Sequence, residues 1–162
     1  MNLIFKPGTE KDIPVIAALA YKIWHEHYPS IITHEQIDYM LNMWNSEDAT
    51  TQQLKAGVRF FIAWLDDEPV AYAGIQVKGG YNFLNKFYVD VAHHRGGIGK
   101  DFFAYLLQQM NRALPVKLQV NRQNYKAINF YFKNGFTIEQ VADFDIGNNY
   151  YMNDFVMVKQ AM

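Results

Sequence analysis

Cysteine is absent from the 162-residue sequence. Its absence excludes disulfide scaffolds, thiolate zinc sites and cysteine nucleophiles, and it is compatible with a reducing cytoplasm, the compartment we expect. A basic surplus is missing too: 15 Lys and Arg face 16 Asp and Glu, for a formal net charge of -1. A phosphate-backbone partner is therefore not expected, and nucleic acid is set aside. No apolar run approaches the roughly 20 residues of a membrane span. The opening MNLIFKPGTEKD lacks the long apolar segment of a signal peptide, so no membrane association is expected. What is present is apolar and aromatic. Hydrophobic residues make up 50% and charged ones only 19%, enough for a packed core and against disorder. The aromatic share of 16% reads first as core packing.

No repeat, low-complexity tract or linker interrupts the chain, which we read as one domain over residues 1–162. Leu3 to Lys6 reads as a strand ended by Pro7-Gly8. Thr9 with Asp12 resembles a capping box, and Ile13, Ile16, Leu19 and Ile23 then form a helical stripe that Pro29 stops. Thr33 and Gln36 open a second helix, and Ser46 to Ala56 a shorter third. Val58 to Leu65 and Val70 to Val77 read as strands about an Asp66-Asp67-Glu68-Pro69 turn, followed by FLNKFYVDV. A helix over about Ile98 to Arg112, a VKLQV strand, a helix over Asn124 to Lys133 and two closing strands complete an α/β chain.

VAHHRGGIGKDFF, residues 91–103, puts Gly96, Gly97 and Gly99 between a strand and a helix. The first helical N–H groups lack internal partners and sit at the positive end of the macrodipole, so such a turn is a general anion site. A Walker A loop is excluded, because Gly99-Lys100 is followed by Asp101 where magnesium binding needs a hydroxyl. A dinucleotide fingerprint is excluded by the G-G-x-G spacing. Alone, the stretch is equally compatible with a tight turn that holds no ligand.

A second stretch, LQVNRQNYKAINFYFKNGF, is needed to choose. Taken together, the two resemble the GNAT superfamily of N-acetyltransferases. His94, Gly97 and Gly99 occupy the positions of its Arg/Gln-x-x-Gly-x-Gly/Ala motif. Val120, Asn124, Ala127, Tyr131, Gly135 and Phe136 occupy those of its second motif. The order of elements fits over the whole chain. The resemblance implies a mixed, mostly antiparallel sheet of about seven strands with helices on both faces, and acetyl-CoA as cosubstrate. It implies a pyrophosphate on His94, Arg95, Gly96, Gly97, Ile98, Gly99 and Lys100. It places the pantetheine arm beside Tyr88, Val89 and Val91, with Asn124 and Ala127 also touching the coenzyme. His94 departs from the usual Arg or Gln, which leads us to expect coenzyme affinity to rise as pH falls through the ordinary histidine pKa of about 6.5.

The resemblance makes Tyr131 the general acid toward the departing thiolate, a phenol of pKa about 10 being able to donate there. The backbone N–H near Val89 is expected to stabilise the oxyanion. The base stays open. The position that carries Glu in polyamine-type members is Asn85 here, which cannot serve. Glu26 and Asp90 are the candidates we name, with Asp145 and Asp154 behind them, and a water chain is an alternative. Trp24 and Tyr28, four apart on one helix, are read as an aromatic wall for a cationic acceptor, with core packing as the equal alternative. His25 and His27 are two apart and point to different sides, so no metal is expected. The expected activity is acetyl transfer to a primary amine of a small molecule, by direct attack in a ternary complex. A peptide or protein N-terminus as acceptor, and a non-catalytic acyl-CoA sensor, are the alternatives. The resemblance also allows a homodimer.

Overall fold

The computed structural model describes residues 2–161. Its elements in chain order are β1 (Leu3–Gly8), α1 (Ile13–His27), α2 (His34–Trp44), α3 (Glu47–Lys55), β2 (Arg59–Leu65), β3 (Glu68–Lys78), β4 (Tyr81–Val89), α4 (Ile98–Gln108), β5 (Val116–Asn121), α5 (Tyr125–Lys133), β6 (Thr137–Gly147) and β7 (Tyr150–Lys159). The strands form a seven-stranded sheet in the order β1-β2-β3-β4-β5-β7-β6. β4 and β5 pair in parallel, and β1–β2, β2–β3, β5–β7 and β6–β7 pair antiparallel. The mixed α/β architecture expected from the sequence is the one observed. The chain divides into two compact units, residues 1–76 with 86–110, and residues 77–85 with 111–162.

In the first unit, β2 carries Phe60, Phe61 and Ile62, at most 3% exposed, so both its faces are covered. On one face, α4 sets Phe102 against Phe5 of β1 and Phe87 of β4, at ring distances of 5.3 and 5.9 Å. On the other, α1 buries Ile16, Leu19, Ala20, Ile23 and Trp24. Residue 86 alternates with 87, and its side chain reaches Trp44 and Asn45 at the end of α2. Helices thus lie on both faces of these strands. The chain enters α1 where the sequence indicates: the Thr9 N–H donates to Asp12 Oδ2 at 2.8 Å. Thr33 Oγ1 accepts from the Gln36 N–H at 3.2 Å and starts α2.

In the second unit, β5 has β7 on one side, and its ladder with β4 spans Asn82↔Val116 and Phe83↔Lys117. Asn82, fully buried, binds the segment before β5: its Nδ2 donates to Asn111 O at 2.8 Å and its Oδ1 accepts from the Asn111 N–H at 3.1 Å. That capture explains a difference from the sequence reading. The helix expected to reach about Arg112 stops at Gln108, because the Asn111 peptide groups serve Asn82 instead of another turn. β6 and β7 close through Asn148 and Asn149, both with positive φ (55° and 62°), which short polar side chains tolerate.

Candidate functional site

β4 ends at Val89, and the chain turns through a short 3-10 segment, Val91–His93, into α4. Asp90 organises this exit. Its Oδ1 accepts from the Ala92 N–H at 3.1 Å, its Oδ2 pairs with Lys22 of α1, and its own N–H donates to Val70 O at 2.8 Å. Burial on its own would raise this carboxyl. The bonds from Lys22 and Ala92 outweigh it and hold the group below the usual range. Lys22 is correspondingly raised by its bond to Asp90. A carboxylate so well satisfied is a poor acceptor for a proton from an ammonium, and the place of Asp90 as a base gives way to that of a clamp between α1 and the turn. Glu26 lies 4.0 Å from Lys22, with 45% of its side chain exposed.

Gly97 caps α4 with φ 76°, a conformation that a side chain makes costly. A Cβ built on Gly97 would meet nothing within 4 Å, and one on Gly96 only His93 O at 4.0 Å. Neither glycine is there to avoid an internal clash. Both leave a helix mouth uncovered, with Arg95 and Lys100 exposed beside it and Ile98 buried beneath. An anion approaching those N–H groups would meet bare backbone, which suits the diphosphate of a coenzyme. His94 does not project into that space. Its Nε2 donates to Val89 O at 2.7 Å, and its ring lies 6.1 Å from that of His27, nearly at right angles. The ring expected to present its charge to phosphate is turned back to the end of β4, where it holds the Val89 carbonyl.

The aromatic wall is also placed differently. Trp24 and Tyr28 are 4% and 8% exposed. Their rings lie 4.6 Å apart, and Trp24 meets Tyr88 at 5.5 Å, which meets Tyr72 at 5.3 Å. Trp24 and Tyr28 belong to the core because the α1 stripe continues through them; Tyr88, half-buried, is the front of the cluster. His25 turns to Asp38 of α2 at 2.9 Å, away from His27. Among the described residues, no group of three His, Cys, Asp or Glu side chains could hold a metal.

Two residues that carry no weight in the sequence reading stand out here. Lys86 is 5% exposed, donates to Trp44 O at 2.6 Å and Asn45 Oδ1 at 2.9 Å, and burial lowers its pKa to about 7. Tyr72, fully buried, donates to the same Asn45 Oδ1 at 3.3 Å and accepts from Trp24 Nε1 at 3.3 Å. Parity is the signal that finds Lys86: Asn82, Leu84 and Lys86 share a strand face, and all three are buried.

In the second unit, Asn124 caps α5, its Oδ1 accepting from the Ala127 N–H at 3.4 Å. Tyr131, 7% exposed, lies on the same helix and packs edge-on against Phe130 and Phe136, with ring distances of 5.6 and 5.4 Å. The helix stops at Asn134, with Gly135 at φ 90°, where the sequence placed its end. Asp154 of β7 pairs with Asn121 at the end of β5 and is 5% exposed. Burial raises its carboxyl to about 6, against the opposing pull of Arg122; Asp143 adds to the rise. The Arg122 guanidinium goes instead to Asp143 Oδ1 at 2.8 Å and to the Ala142 and Asp154 carbonyls.

Comparison with known proteins agrees with this architecture. Residues 56–138 match the family described as an acetyltransferase (GNAT) domain. A spermidine N(1)-acetyltransferase of Thermoplasma acidophilum is 22% identical over 99% of this chain and 98% of its own. Among solved structures, the PaiA N-acetyltransferase of T. acidophilum in complex with coenzyme A superposes with a TM-score of 0.80 at 23% identity, covering 99% of both chains. The ribosomal-protein-S18-alanine N-acetyltransferase of Escherichia coli gives 0.75 at 16% identity, covering 99% of this chain and 94% of the other.

Proposed function

From the premise that this chain belongs to the GNAT acetyltransferase family, we propose that it is an acetyl-CoA-dependent N-acetyltransferase of small primary amines, residues 1–162 acting as one catalytic domain. The observation that carries the reading is the uncovered helix mouth at Gly96 and Gly97. There the first N–H groups of α4, with Arg95 and Lys100, bind the diphosphate of acetyl-CoA. Tyr88, Val89 and Val91 line the pantetheine arm, and Asn124 and Ala127 contribute from α5. His94 acts from behind, holding the Val89 carbonyl. The Val89 N–H donates to the carbonyl oxygen of the thioester as it becomes anionic. Tyr131 donates its proton to the departing thiolate. The acceptor attacks as a neutral amine, forming the C–N bond as the C–S bond breaks, without a covalent enzyme intermediate. Its proton passes to a carboxylate or water. Glu26 is accessible for this, and Asp154 has the affinity for a proton that the step needs. The small-amine acceptor is supported by the spermidine acetyltransferase relative.

A thiol-release assay with acetyl-CoA, run against polyamines, aminoglycosides, amino acids and short peptides, tests the reading. Release with di- or polyamines is the expected result. Failure of calorimetry to detect coenzyme A binding would refute it. Turnover confined to peptides would shift the acceptor to a protein N-terminus.

A further inference from the structure

Lys86 has no evident task in the chemistry above, yet it is costly to bury. No carboxylate pairs with it among the described residues; its two acceptors are the Trp44 carbonyl and Asn45 Oδ1, both neutral. The hydrogen-bond arithmetic favours the neutral amine. An uncharged lysine has two N–H groups for these two acceptors, whereas an ammonium brings a third that finds no partner.

The contacts continue beyond Lys86. Asn45 Oδ1 also accepts from the Tyr72 hydroxyl, and that oxygen accepts from Trp24 Nε1. One polar chain thus joins β4, the C-terminal end of α2, β3 and α1 inside an apolar core. The rings it fixes are those of the cluster: Tyr72 and Trp24 both contact Tyr88, and Trp24 contacts Tyr28. Tyr88 immediately precedes Val89, the residue at the reacting end of β4. Tyr88, half-buried, is thus the member of the cluster nearest the acceptor in the acetyltransfer reading, and its position is set by the rings behind it.

We propose that Lys86 is a positioning residue for the acceptor amine: its anchorage on Asn45 and Trp44 sets the Trp24–Tyr72–Tyr88 cluster in the geometry that receives the acceptor beside Val89. The proposal rests on the acetyltransfer reading. The groups facing Lys86 are uncharged at neutral pH. From α2 come the Trp44 carbonyl and Asn45; from β3, Gly74 and the Tyr72 phenol, itself raised by burial; from α3, Gln53, which shares the Trp44 carbonyl at 2.9 Å; from α1, the Trp24 indole behind Tyr72. Protonation of Lys86 is then the event that disturbs the cluster.

The experiment compares wild type, Lys86→Met and Lys86→Arg between pH 6 and 8. Thiol release with spermidine gives KM for the acceptor, and near-ultraviolet circular dichroism follows the aromatic cluster without any acceptor. In wild type, spermidine KM is expected to be up to about tenfold higher at pH 6 than at pH 8, relative to Lys86→Met, because the competent fraction falls with the neutral amine. Titration of spermidine itself affects both proteins alike. KM for acetyl-CoA is expected to move equally in both. Lys86→Arg, always charged, is expected to keep the high KM at every pH. The dichroism of wild type is expected to titrate near pH 7, and that of Lys86→Met to lack this transition. Coincident dichroism titrations, or parallel KM profiles, in wild type and Lys86→Met overturn the positioning role. Absence of thiol release from wild type would instead count against the polyamine reading, with dichroism still deciding the anchorage.

Discussion

Stability of the fold is expected to climb between pH 7 and pH 9 through Lys86 alone, and the size of the climb follows from its burial. Its pKa falls from 10.5 in the open chain to about 7 in the folded one. Between those values the unfolded chain binds more protons than the folded one, so stability rises with pH across the window. At pH 7 the folded state carries a penalty of about 4 kcal/mol, and by pH 9 roughly 2 kcal/mol remain. Lys86→Met removes this pH dependence and two hydrogen bonds, each worth about 1 kcal/mol and more where charged. It leaves no orphaned acceptor, since Trp44 O keeps Gln53 Nε2 and Asn45 Oδ1 keeps the Tyr72 hydroxyl. On these figures Lys86→Met is expected to be the more stable by about 2 kcal/mol at pH 7, a lead that vanishes by pH 9. Urea unfolding at pH 7, 8 and 9, followed by tryptophan fluorescence, reads this difference. Parallel stability curves would show that Lys86 keeps its proton in the core and would refute the reasoning.

Tyr131→Phe is expected to lower kcat by about 10²–10⁴-fold with little change in KM for acetyl-CoA, as removal of a proton donor predicts; steady-state thiol release checks this. Gly97→Ala is expected to cost about 1–2 kcal/mol of stability through its positive φ, and to weaken coenzyme A binding in calorimetry by at least about tenfold, each tenfold being 1.4 kcal/mol. Gly96→Ala, which has room for its methyl, is expected to weaken binding with little loss of stability. Asp154→Asn addresses the opposite titration. Burial raises that carboxyl from 3.8 to about 6, so the folded state holds the proton more tightly and loses stability as pH rises through that window. The variant is expected to melt higher than wild type at pH 7, by up to about 3 kcal/mol of stability, and no higher at pH 4.

The local grammar of the chain was open to reading. Thr33 as a cap, Asn124 through Asn134-Gly135 as the bounds of α5, and glycines at a strand-to-helix turn all depend on near neighbours, and the structure places them as expected. What escaped depends on residues distant in sequence. Asp90 looks like a free carboxylate until Lys22, 68 positions away, is brought against it. Trp24 and Tyr28 have the spacing of a surface wall and of a core stripe alike, and the packing of Tyr88 and Tyr72 decides for the core. Lys86 in FLNKFYV looks like an ordinary strand lysine. Its burial follows from the end of α2 lying over that face, with carbonyls in need of donors.

Asn82 and Phe83 pair β4 with β5 in parallel, and the Asn82 amide staples the incoming segment beside them. At that point the chain's entry into β5 is held by a side-chain amide as well as by backbone pairing. Without that one amide, the peptide groups of Asn111 would lose the partner that ends the preceding segment and aims it into the sheet.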